Sequence, residues 1–82
     1  MTMNPKPKIY GDFQNVDDFR RIRLLESSHE EADRQGVVFK DGMEIEVTDT
    51  HSLSADGIVR FSDLENIWVA EIDWKKIRYL DE

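Results

Sequence analysis

Two apolar runs near the C-terminus constrain the fold more than any other feature of the sequence. Residues 57–62 and residues 67–72 are mostly apolar, and the four residues 63–66 separate them. This pattern predicts an antiparallel β-hairpin, and a four-residue loop places Phe61 opposite Trp68. In this register one face of the hairpin carries only apolar side chains and is predicted to be buried: Val59, Phe61, Trp68, Ala70 and Ile72.

Further segments show patterns typical of strands. In residues 43–48 and in residues 21–25, bulky apolar side chains alternate with charged or polar ones, as in half-buried strands. Residues 37–39 are apolar and lead into residues 43–48 through an Asp-Gly pair, which predicts a tight turn with a positive φ at Gly42. Residues 74–80 predict a turn and a short last strand.

One short helix is predicted between these strands. Ser27 and Ser28 each have a glutamate three residues on, which is the spacing of a capping box at a helix start. Gly36 supplies the left-handed residue that ends a helix. The enclosed segment has Ala32 as its single apolar residue, so we expect the helix to lie on the surface.

The number of short strands predicts a mainly β (α+β) fold, a small antiparallel half-open barrel of four to five strands with one short helix. Three segments carry the strand rhythm: 42–47, 56–61 and 68–73. Over residues 42–73 this rhythm resembles that of small SH3-like barrels. Binding of proline-rich peptides is not implied, because the motifs characteristic of SH3 domains proper are absent. We expect residues 1–8 to be a disordered tail and residues 9–82 a single domain.

Charge is distributed unevenly along the chain. The net charge is −7, but residues 26–73 hold three basic residues against thirteen acidic ones, a balance of −10. The mildly basic ends are expected to pack against this acidic middle. Such acidity disfavours nucleic acid and favours a basic protein partner. The predicted binding surface consists of five carboxylates: Glu44, Glu46, Asp49, Asp56 and Glu71.

These features predict a non-enzymatic interaction or regulatory domain, with an immunity or antitoxin-like protein as one version. Two alternatives remain open. The polar loop at residues 49–56 could bind a metal or small ligand through His51, and Arg20, Arg21 and Arg23 could contact RNA. We expect no catalytic residue, no cofactor and no resident metal. The absence of cysteine and of an apolar leader is typical of a cytoplasmic protein without a membrane anchor. We expect either a monomer or a homodimer, because the strand at residues 21–25 could pair with a second copy.

Overall fold

A computed structural model describes residues 6–80. In chain order the elements are β1 (Lys8–Tyr10), β2 (Ile22–Arg23), α1 (Glu26–Arg34), β3 (Glu44–Thr48), β4 (Leu53–Ser62), β5 (Ile67–Ile72), a 3-10 helix (Trp74–Lys76) and β6 (Arg78–Tyr79). Within the described residues the protein is mainly β with one α-helix, as predicted, and its sheet curls into a half-barrel. None of the helices found there is long and apolar enough to cross a membrane.

β4 is the centre of the sheet, whose strand order is β1-β3-β4-β5-β2, with β6 also paired to β4. The register of the β4–β5 hairpin is the predicted one, with Phe61 opposite Trp68 and Ser62 opposite Ile67. The apolar face sets this register because a slip of one residue would scatter Val59, Phe61, Trp68, Ala70 and Ile72 over both faces. The predicted strand at residues 21–25 is confirmed in its shorter form, β2.

The core lies inside the curl of the sheet. Its fully buried side chains come from five strands and the segment after β2, and include Ile9, Ile22, Leu24, Ile45, Val47, Val59 and Ala70. Phe61 was predicted to belong to this core but is 37% exposed. It lies one residue before the end of β4, and its ring packs edge-on against Trp68, which itself is only partly buried.

The sequence predicts a short strand at residues 9–10, and β1 contains it but begins at Lys8 and has an unexpected partner. It pairs with β3 in parallel, so the sheet is not purely antiparallel. Residues 6–8 were expected in the tail, yet the Pro7 carbonyl accepts a hydrogen bond from the Glu46 amide at 2.9 Å and Lys8 begins the strand. Main-chain pairing with β3 holds this segment, and such pairing requires no apolar side chains. Residues 1–5 of the predicted tail lie outside the described residues, as do residues 81–82.

The helix forms where expected, but its start differs from the prediction. Its N-cap is Leu25, without a side-chain hydrogen bond, and Ser28 instead donates its hydroxyl to the Tyr10 carbonyl at 2.6 Å. The helix is therefore attached to β1 rather than capped by serine, and Ser28 and Ala32 are buried. The predicted end is confirmed, since Gly36 has a φ of 70°.

Two predictions were wrong, one of a strand and one of the length of a loop. Residues 37–39 form no strand, because the Val37 amide donates to the Ala32 carbonyl and so closes the end of the helix. The predicted loop at residues 49–56 is shorter, because β4 already begins at Leu53. Ser54 and Ala55 are buried within that strand, and small side chains of this kind give little hydrophobic signal in a sequence.

Candidate functional site

Four of the five predicted carboxylates lie together on the outer face of the sheet. Glu44 on β3 and Glu71 on β5 are both paired with Ile58 on β4, one from each side. Glu46 and Asp56 are directly opposite each other on β3 and β4. Directly paired residues of antiparallel strands point to the same face, so the fold collects these side chains from three strands on one surface.

Three of these carboxylates, Glu44, Asp56 and Glu71, line a groove of about 640 Å³, and we call it the acidic groove. Its walls carry four exposed carboxylates: Glu44, Asp56, Glu71 and Asp73. Its apolar lining is half-buried and consists of Ile58, Ile72 and Trp74. Lys6 and Lys75 also line it. The site thus combines an apolar floor with an excess of negative charge, and Asp73 and Trp74 were not among the residues that the sequence indicated for it.

Cations from both ends of the described chain pair with this face. The Lys6 ammonium lies 3.4 Å from Asp56 Oδ2, and Arg78 Nη2 lies 3.4 Å from Asp56 Oδ1 and 3.5 Å from Glu46 Oε2. The charge pattern predicts that the basic ends pack against the acidic middle, and these contacts confirm it. Arg60 also pairs with Glu71, with Nε and Oε1 3.3 Å apart.

Glu46 differs from its neighbours on this face. Its side chain is only 26% exposed, and its Oε2 accepts a hydrogen bond from the buried Ser54 hydroxyl at 2.6 Å. Together with Arg78, this contact ties β3 to β4 and β6. The Glu46 carboxylate is therefore already paired within the sheet. The Glu44 side chain is more exposed, at 66%.

Asp49 is not brought to the acidic groove. Its Oδ1 accepts hydrogen bonds from the backbone amides of His51, Ser52 and Leu53 at 2.8–2.9 Å, across the turn between β3 and β4. Partial burial raises the pKa of the Asp49 carboxyl, but the hydrogen bonds from these amides outweigh it and lower the pKa to about 2. The role shown for Asp49 is to hold the turn.

His51 and Asp49 belong to the loop of the metal-binding alternative. The His51 side chain is exposed, and its contact with Asp49 uses the backbone amide rather than the ring. Over residues 6–80 there is no group of three or more histidine, cysteine, aspartate or glutamate side chains placed to hold a metal ion.

Each arginine of the RNA alternative contacts another side chain of the protein. Arg21 Nε lies 2.9 Å from buried Asp17, and Arg23 makes a two-pronged contact with Glu65 at 2.7 and 2.8 Å. The Arg20 guanidinium stacks on the Trp74 ring at 4.8 Å. Two of the three arginines, Arg21 and Arg23, are therefore paired with carboxylates of the protein itself.

Comparison with protein-family models, with curated proteins and with solved structures found no match to this chain.

Proposed function

We propose that this protein is a non-enzymatic interaction domain whose acidic groove receives a basic segment of a partner protein. The observation that carries this function is the combination in one groove of exposed carboxylates with a half-buried apolar floor. In one version the partner is an enzyme with a cationic active site, which the domain masks as an immunity protein or antitoxin would. We also propose that the half-barrel is SH3-like in its strand arrangement.

The groove fits the two-part character of basic side chains. Lysine and arginine carry a charged head on an aliphatic stem, and they favour sites where the stem contacts apolar surface while the head meets opposite charge. Ile58 and Trp74 supply the apolar contact, and Glu44 and Glu71 supply the charge on either side. Complementary charge of this kind accelerates association and selects against acidic partners.

Binding of acetylated, amidated hexalysine to the full chain tests this function. NMR titration is expected to shift the signals of Ile58 and Trp74, and the affinity is expected to fall as salt is raised. Glu44→Lys reverses a charge in the groove, and Asp63→Lys makes the same change in net charge in the β4–β5 turn, outside the groove. We expect Glu44→Lys to weaken hexalysine binding severalfold more than Asp63→Lys does.

Equal weakening by the two reversals would contradict the proposed function, because it would show attraction to net charge rather than to the groove. Signal changes confined to residues outside the groove would contradict it as well. Hexaglutamate serves as the negative control and is expected to shift none of these signals.

A further inference from the structure

The acidic groove already holds a cationic side chain from its own chain. The Lys6 ammonium lies between two groove carboxylates, 3.9 Å from Glu44 Oε1 and 3.4 Å from Asp56 Oδ2. The next residue is fixed to the sheet, since the Pro7 carbonyl accepts a hydrogen bond from the Glu46 amide. The segment that leads into β1 therefore runs beside β3 as an extended chain and delivers one lysine side chain into the groove.

We propose, building on the partner-binding function of this groove, that Glu44 and Asp56 form a seat for a lysine ammonium. Lys6 occupies this seat as an intramolecular stand-in, and a lysine of the partner's basic segment displaces it. The groove is thus selective for lysine and is held in check by its own N-terminal segment.

At the Asp56 side of the seat the geometry favours lysine over arginine. An arginine guanidinium binds best when it forms two parallel hydrogen bonds to both oxygens of one carboxylate. Asp56 cannot offer both oxygens to a ligand, because Oδ1 is paired with Arg78 and only Oδ2 faces Lys6. A lysine ammonium is a compact charge that can lie between single oxygens of two carboxylates, as Lys6 does here.

The Lys6 contacts are weak enough to be displaced. The side chains of Lys6, Glu44 and Asp56 are 40%, 66% and 58% exposed, so solvent screens both pairs. Exposed pairs of this kind each shift an equilibrium by a factor of about 1.4 to 5. Freeing the seat is therefore expected to raise the affinity for a competing lysine roughly three- to tenfold.

Lys6→Gln in the full chain tests this inference, with hexalysine and hexaarginine as probes. Lys8→Gln is the matched control, because it changes the net charge equally and Lys8 forms no ion pair within residues 6–80. We expect Lys6→Gln to tighten hexalysine binding roughly three- to tenfold. We expect Lys8→Gln to tighten it less than about twofold. The gain for hexaarginine in the Lys6→Gln variant is expected to be smaller than the gain for hexalysine.

The outcomes separate this inference from the function on which it rests. If hexalysine binds the wild-type groove but the two glutamine variants behave alike, the stand-in role of Lys6 is refuted and the partner-binding function stands. An equal gain for hexaarginine refutes the selectivity for lysine. If hexalysine shifts no groove signal in the wild type or in Lys6→Gln, both the function and the inference are refuted.

Discussion

Replacing Asp49 with asparagine separates a role in the fold from a role in binding. The substitution keeps the size of the side chain but removes the charge that attracts three backbone amides of the β3–β4 turn. A pKa lowered from 3.8 to about 2 corresponds to about 2.4 kcal/mol in favour of the folded, ionised form. Because Asp49 is only partly buried, solvent screening reduces the loss of unfolding free energy expected at neutral pH to about 1–1.5 kcal/mol.

The sign of the pH dependence follows from the lowered pKa. The folded protein binds a proton at Asp49 less readily than the unfolded chain does, so the carboxylate stabilises the fold fully above pH 3.8. This stabilisation is lost as the pH falls from 3.8 towards about 2. An asparagine at this position is neutral throughout, so the difference in stability between wild type and Asp49→Asn should shrink over this window.

Urea denaturation at neutral pH and at about pH 2.5 measures the difference in unfolding free energy between wild type and Asp49→Asn. The lower pH lies inside the window set by the lowered pKa of Asp49. Asp63→Asn is the control, because the Asp63 carboxylate makes no hydrogen bond within residues 6–80, and it should change stability by less than about 0.5 kcal/mol. A loss for Asp49→Asn that does not vary with pH would refute the reasoning from charge. Since Asp49 lies outside the acidic groove, a larger loss of hexalysine affinity in Asp49→Asn than in Asp63→Asn would refute its placement as a turn residue.

Three further substitutions test contacts of the fold. Asp17→Ala removes the acceptor of three hydrogen bonds, from the amides of Phe19 and Arg21 and from Arg21 Nε. Urea denaturation is expected to show that the free energy of unfolding falls by about 2–3 kcal/mol. An unchanged denaturation midpoint would contradict this prediction. A Cβ at Gly11 would lie 2.5 Å from Val47 Cγ1, so Gly11→Ala should cost about 1–3 kcal/mol in the same assay. Arg23→Gln removes the hydrogen bonds that hold the pKa of Glu65 below its usual value, so NMR titration should show that pKa rising.

The parts of the fold that could be predicted are those that local alternation determines. The β4–β5 register follows from alternation because a slip would expose a whole apolar face. β1 could not be predicted with its partner, because Ile9 is its one fully buried residue and a parallel partner far along the chain leaves no local signal. The Ser28 hydroxyl could serve a helix cap or a tertiary carbonyl, and only the position of β1 decides between them.

For the candidate site, the sequence shows which residues share a face but not what lies opposite them. Alternation within β3 is sufficient to place Glu44 and Glu46 on one side of the strand. Whether each is free depends on Lys6, Ser54 and Arg78, which the fold brings in from other elements. The same is true of Asp49, whose carboxylate accepts hydrogen bonds from backbone amides of its own turn. The sequence alone does not distinguish such a carboxylate from one that faces a partner.

The width of the acidic groove determines what it can receive. Glu44 and Glu71 flank Ile58 from the two neighbouring strands, so their backbones lie roughly 10 Å apart at the usual strand spacing. This is about the width of one extended or helical segment with its side chains. Glu46, further along β3, is closed off by Ser54 and Arg78. In the proposed complex, a partner segment would therefore follow a path over Ile58, with its cations reaching both walls, and the seat held by Lys6 lies on that path.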